Sequence, residues 1–202
     1  MKFGCILSPY DSRDFKLSST ATKGTNLPAE YICPLKMPVK NQGYVGSCVA
    51  HAVSSILEYH AIPYQKLSTN FIYGIQKKLF NREGDGMMLR DACKIAADYG
   101  DMLLTDCPGN TEVPDCYEIA NEAFADDAKV NRASTYRLLK YFLCTSNKDI
   151  KHALYNYGPV LASIRWYYNF KVSRDGVLEG EQKGPYAGAI MSAQRSWCAM
   201  AG

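Results

Sequence analysis

Histidine is scarce in this chain of 202 residues, which holds only His51, His60 and His152. Long apolar runs are missing as well. After Met1-Lys2 the stretch Phe3-Gly4-Cys5-Ile6-Leu7 ends at Ser8-Pro9-Tyr10-Asp11, too short for a secretory signal, and no other run approaches a membrane span. The expectation is a cytoplasmic protein, or one released by another route, with no membrane partner. There is no dense Lys/Arg run, and a net charge of +3 is too weak to argue for a nucleic-acid partner. No C-x-x-C pair occurs, so a structural zinc site has little support, and neither metal nor cofactor is expected. Repeats, low-complexity tracts and linkers are absent too. One domain over 1–202, acting as a monomer, is the reading that remains.

What is present is an ordinary globular composition, 47% hydrophobic and 21% charged, rich enough in apolar residues to bury a real core. The 15 tyrosines are scattered and read as half-buried packing residues. The 8 cysteines are even in number, which invites a disulfide reading, but without a secretory signal free thiols are the default. Cys107 and Cys116 flank a Pro/Gly/Asn loop and could bridge if oxidised.

Residues 1–40 read as an extended lead-in, because Pro28, Pro34 and Pro38 break any helix. The first strong helix starts near Ser47 or Cys48 and runs to Tyr59, with Ser47 as its cap. A second starts near Ser68 and carries Phe71, Ile72, Ile75 and Leu79 at helical spacing. A third covers Leu89 to Tyr99 and ends at Gly100. A weaker one spans roughly Asp115 to Lys129. Then the texture changes: a strand at Thr135 to Leu139, a helix from Asn147 to Tyr157 stopped by Gly158-Pro159, and a buried strand from Val160 to Trp166. The order predicts an α+β fold, with a helical lobe over 41–130 and an incomplete antiparallel β lobe over 131–202.

One segment carries chemistry. In Asn41-Gln42-Gly43-Tyr44-Val45-Gly46-Ser47-Cys48 the cysteine stands in the first turn of the first helix. There the unsatisfied N–H groups and the helix dipole favour thiolate over thiol, and the thiolate is the nucleophile. Gly43 and Gly46 let the backbone turn and let a substrate chain come close. The amide of Gln42, with the backbone N–H of Cys48, could hold a developing oxyanion. A lone cysteine at a helix start is more often structural, and it is the combination of Gln42, two glycines and Ser47-Cys48 that turns the reading toward function.

Asn41-Gln42-Gly43-x-x-Gly46-Ser47-Cys48-x-Ala50 resembles the N-Q-G-x-C-G-S-C-W-A segment of papain-like cysteine peptidases. Val45 replaces the usual disulfide cysteine and Val49 the usual tryptophan, as in the bacterial and phage-type branch. Ser12-Arg13-Asp14, Leu27-Pro28 and Val39-Lys40 look like that branch's lead-in, and Tyr157-Gly158-Pro159-Val160 like its G-P-V strand. The resemblance runs from about residue 11 to about 190. It implies a two-lobe fold, a peptide or protein substrate, Cys48 as nucleophile, Gln42 at the oxyanion, and substrate contacts from Gly46, Ser47 and Gly86, the last through the glycine's own backbone, with an ordinary loop glycine as the alternative.

The family also uses a histidine base on the strand after G-P-V, where this chain has Tyr186, and an asparagine in N-S-W-G, which Gln194-Arg195-Ser196-Trp197-Cys198 only echoes. Tyrosine, titrating near ~10, is a poor base at neutral pH. His60 lies 12 residues from Cys48, ~18 Å along a helix. His51 reads as packed behind the cysteine and His152 as a surface helix residue. Two expectations compete for the tail from about Gly184: a truncated or frame-shifted peptidase, or an intact but silent relative. The function expected is a thiol peptidase of very low turnover, with a non-catalytic peptide-binding module as the alternative.

Overall fold

Apolar residues at helical spacing have to be buried against one another, and three helices do this around one centre. The computed structural model describes residues 4–17, 26–34, 37–81, 84–109, 116–163, 166–167, 169–174, 178–180, 186–188 and 196–201. In chain order the elements are β1 (Cys5–Ile6), α1 (Cys48–His60), α2 (Thr69–Phe80), β2 (Met87–Met88), α3 (Leu89–Asp98), α4 (Cys116–Phe124), α5 (Asp127–Ala133), β3 (Leu138–Cys144), α6 (Asn147–Tyr157), β4 (Val160–Ala162), β5 (Trp166–Tyr167), β6 (Lys171–Val172), β7 (Leu178–Glu179), β8 (Tyr186–Gly188) and β9 (Ser196–Ala201). The main core joins Val49, Val53, Ile56 and Leu57 of α1 to Phe71, Ile72 and Ile75 of α2 and Ala92, Ile95 and Ala96 of α3. α4 presents Cys116, Ala120 and Ala123 to this core. These small residues let α2 come close, and a methyl group on Gly74 would lie 2.3 Å from the Ala120 Cβ.

The helix ends follow local chemistry with two departures. Ser68 caps α2 by accepting the Phe71 N–H, and Ser146 and Asp149 form a reciprocal capping box on α6. Ser47 precedes α1 as expected, but its φ of −103° and ψ of 16° are not extended, and its hydroxyl makes no capping bond to the helix. The weaker helix expected from Asp115 to Lys129 is two helices, its start at Asp115 lying outside the described residues. Asp126 divides them, since its carboxylate accepts the N–H groups of Ala128 and Lys129 and starts α5 afresh.

Beyond α5 the chain turns to strand. β9 is the centre of a three-stranded antiparallel sheet ordered β3-β9-β4, and β8 pairs antiparallel with β5. The stretch past Gly184 that departs from the family pattern therefore supplies two strands. The strand expected at Thr135 begins later, at Leu138, because Thr135 and Tyr136 are held in a turn by N–H bonds to Arg132 and Ala133 carbonyls. The strand expected from Val160 to Trp166 is β4 followed by β5, and Ile164 and Arg165 lie outside the described residues. Cys107 and Cys116 are both buried free thiols. His152, expected on the surface, is only 9% exposed, because Asp149, His152 and Ala153 share the inward face of α6.

The lead-in is not loose. Leu17 is buried in a second small core with Phe142, Cys144 and Ala153, and the Phe15 carbonyl accepts the Leu143 N–H. Farther along, Lys40 reaches into the helical core. Its ammonium lies 2.9 Å from the buried Glu58 carboxylate, 2.8 Å from the Ser54 hydroxyl and 3.3 Å from the Leu67 carbonyl. Beside this group sits Asp101, fully buried. Burial pushes its carboxyl up to about 8, against the pull of the Ser54 hydroxyl and the Lys40 ammonium.

That placement gives stability a pH dependence. Asp101 holds a proton more tightly folded, near 8, than unfolded, near 3.8. Its contribution is full below pH 4 and is lost as pH rises toward about 8, at up to about 1.4 kcal/mol per pH unit. Asp101→Asn removes this loss. In denaturant melts the stability of the variant relative to the parent should climb from pH 4 to pH 8 and level off above. A flat difference across that range would show that the carboxyl ionises normally.

Candidate active site

The loop before α1 is built to hold its own shape. Lys40 anchors its start through Glu58, which lies on α1 itself. The Asn41 side chain accepts the Gly43 N–H at 3.0 Å, and Gly43 takes a positive φ of 59° that a side chain would resist. Gln42 donates its amide to the Val45 carbonyl at 3.0 Å, and the same carbonyl accepts the Ser47 N–H at 2.8 Å. The Ser47 carbonyl then accepts the His51 N–H and opens α1. Gln42 and Cys48 are thereby fixed on one short, bonded loop, and Val45, in the place of the family's disulfide cysteine, packs against the core.

Three backbone N–H groups face the Cys48 sulfur: its own, that of Val49, and that of Gly4. All three favour the thiolate. Burial opposes them and prevails, so the thiol is pushed up from its ordinary value. The expected thiolate-favouring helix start is present, but the sulfur is too dry for it to dominate.

The N-terminal segment lies against the cysteine, giving the sulfur the Gly4 N–H. β1 runs parallel to β2, with Cys5 opposite Met87 and Ile6 opposite Met88, and the Gly4 carbonyl accepts the Met87 N–H at 2.7 Å. Gly4 is wedged against Gly46 so closely that a methyl group on it would sit 1.8 Å from the Gly46 carbonyl oxygen. Ser8, Pro9 and Asp14 continue the strap along α3, where the Arg90 guanidinium binds the Pro9 carbonyl at 2.7 Å and the Asp14 carboxylate at 2.5 Å.

Gly86 is held from below by α2. Its N–H donates to the Tyr73 hydroxyl at 3.3 Å and its carbonyl accepts the Gln76 amide at 3.1 Å. Its φ is +98°, and a methyl group there would meet the Gly4 carbonyl oxygen at 2.5 Å. The backbone group that pairs with the strap is the neighbouring Met87 N–H, one residue past the position the resemblance implies. Gly46 and Ser47 are buried at the floor of the same cleft.

No described histidine bonds the Cys48 sulfur. The His51 ring turns back on its own helix, with Nδ1 3.0 Å from the Ser47 carbonyl, and burial lowers its basicity. His60 ends α1, and His152 is buried on α6. Tyr186 begins β8, with its backbone opposite Tyr167 of β5. Sequence reasoning missed the strap, the Tyr73 and Gln76 supports and the Lys40 anchor. The signal for the supports was two polar residues, three apart, on the apolar face of a strongly periodic helix.

No family model matches the chain. No curated protein matches it either. Solved structures do. Xylellain, a cysteine protease from Xylella fastidiosa, superposes with a TM-score of 0.67 at 22% identity, covering 96% of this chain and 77% of its own. Procathepsin B S9 from Trypanosoma congolense gives 0.65 at 14% identity, covering 99% and 86%. Procathepsin L 3 from Tenebrio molitor gives 0.52 at 15% identity, covering 82% and 67%. With its helical core, its cysteine at the start of α1 and its β strands beyond, the chain has the fold of the papain-like cysteine proteases.

Proposed function

We propose that this chain is a cysteine-type peptidase that hydrolyses peptide bonds through Cys48. The observation that carries the reading is the Cys48 sulfur at the first helical position, faced by backbone N–H groups and flanked by the Gln42 amide on the same bonded loop. The sulfur attacks the peptide carbonyl carbon. The oxyanion forms against the Cys48 N–H and the second N–H of the Gln42 amide. The amine leaves with a proton, and water hydrolyses the thioester to release the acid and restore the thiol.

Turnover is expected to be slow, because none of the three histidines bonds the sulfur and Tyr186 stands at the position where the resemblance calls for the base. That observation also favours the second reading, a cleft that binds peptides without cutting them. The strap supports latency in either case: it lies where an extended peptide would pair with β2. The matched procathepsins are themselves proforms.

Hydrolysis of fluorogenic peptides separates the readings. A peptidase gives slow release that Cys48→Ala abolishes, and Gln42→Ala lowers kcat about a hundredfold with little change in KM. Peptide binding with no Cys48-dependent release would assign the silent module instead.

Displacing the strap should wake the cysteine. Gly4→Val puts branched carbon into the Gly46 carbonyl and forces the segment off. Because burial is what raises the thiol, the pH midpoint for alkylation of Cys48 by iodoacetamide should fall in this variant, and the rate at pH 7 should rise. An unchanged pH profile, read at the Cys48 peptide by mass spectrometry, would show that the strap does not control the sulfur.

A further inference from the structure

The Cys48 N–H receives the developing oxyanion, and its aim is set from the other side of the same peptide unit. In a trans peptide the N–H and the C=O point opposite ways, so whatever holds the Ser47 carbonyl also holds the Cys48 N–H. His51 puts two donors on that carbonyl. Its backbone N–H lies 3.0 Å away, as any helix would have it, and its ring Nδ1 lies 3.0 Å away as well. A carbonyl oxygen only accepts, so the bonded Nδ1 carries a proton. Burial lowers the basicity of the half-buried ring and the Lys40 ammonium adds to this, against the pull of the Ser47 and Asn41 carbonyls, so at pH 7 the ring is neutral and that proton is its only one. Because the Asn41 carbonyl faces the ring too, the imidazole lies between the two ends of the loop that leads to Cys48.

We propose that His51 is a positioning residue for the reaction: through the Ser47 carbonyl its imidazole holds and polarises the Cys48 N–H that receives the oxyanion. The inference rests on the peptidase reading and adds a residue to it. A hydrogen bond accepted by a peptide carbonyl draws electron density from the peptide nitrogen, which makes the N–H on that nitrogen a stronger donor. Two donors fix the plane of the unit as well, so the N–H needs no reorientation as charge develops. The same reach back by four residues occurs where Asn121 donates to the Tyr117 carbonyl at 2.7 Å and Asn156 to the His152 carbonyl at 2.8 Å. Of the three, only the His51 bond falls on the peptide unit of the nucleophile. The other two show that an asparagine amide can make the bond.

The test reads capture of Cys48 by a peptidyl aldehyde, so it does not depend on turnover. The thiol adds across the aldehyde: a C–S bond forms, the carbonyl π bond breaks, and the thiol proton ends on the oxygen, which lies where the oxyanion would. The full chain carrying Gly4→Val is used, and Arg90→Ala, which cuts the strap's anchors at Pro9 and Asp14, provides a second opened background. His51→Phe should weaken the aldehyde about fivefold to tenfold, the size of one hydrogen bond. The rate of alkylation by iodoacetamide, which forms no oxyanion, should change by about twofold or less. His51→Asn should restore most of the aldehyde affinity. Nitrogen NMR of the His51 imidazole at pH 7, in the chain without substitutions, should place the proton on Nδ1. A proton on Nε2 instead would leave no bond to the Ser47 carbonyl and overturn the proposal even if His51→Phe does not fold. If His51→Phe melts as its background does and keeps the aldehyde affinity, or if His51→Asn is as weak as His51→Phe, the role is wrong and the peptide cleft stands. If no aldehyde is captured in either background with His51 in place, the peptide cleft itself is wrong and the role falls with it.

Discussion

Three backbones meet over Cys48 with no side chain between them, and the cleft depends on that contact. Gly4 comes from the N-terminal strap, Gly46 from the loop before α1 and Gly86 from the entry to β2. Any Cβ at Gly4 or Gly86 would overlap a carbonyl oxygen, of Gly46 in the first case and of Gly4 in the second. The cost of such a contact is conformational freedom in the unfolded chain, since glycine has more of it to lose than any other residue. What it gains is backbone hydrogen bonding at a distance that side chains would prevent. The strap can thus pair with β2 and still point an N–H at the sulfur.

A contact this close needs rigid supports, and the protein builds them from polar residues inside an apolar core. Tyr73 and Gln76 are fully buried on α2 and hold both polar groups of Gly86. Lys40 ties the loop before α1 to Glu58 on α1, while the Glu58 carboxylate also accepts the Leu67 N–H at 2.7 Å. Buried polar groups are costly unless bonded, and removing one partner of a buried ion pair costs about 3–5 kcal/mol. Apolar replacements of the same volume could pack as well. They could not fix the Gly86 carbonyl or the loop in one register, which is the constraint that positions the cleft.

Much of this was legible in the sequence. α1, α2, α3 and α6 lie close to where local signals put them, Ser47 before α1, apolar spacing in α2, Gly100 after α3 and Gly158-Pro159 after α6. Gln42, Gly46 and Cys48 stood out as candidates through a helix-start thiol and the resemblance of their segment to the papain-like pattern. What escaped was non-local. Asp126 divides one expected helix into two through a cap that only a bend reveals. His152 looked polar enough for the surface, but the inward face of α6 carries it with Asp149 and Ala153. The strap was read as extended chain, yet nothing in Gly4-Cys5-Ile6 says that it will lie against residues forty and eighty positions away.

The state of the sulfur follows from weighing two opposed effects on one atom. Backbone N–H groups at a helix start pull a thiol toward the thiolate, and burial pushes it back. In most thiol nucleophiles a protonated histidine adds a full charge to the first side of that balance. No described histidine bonds this sulfur, so three neutral donors act alone, and burial outweighs them. Removing the strap takes away one of the donors, the Gly4 N–H, but it also returns water to the sulfur. Burial is the largest influence on the thiol and the Gly4 N–H is one of three that oppose it. The strap therefore bears on the thiol twice, shielding it from water and giving it the Gly4 N–H, and it lies along β2 where an extended chain pairs.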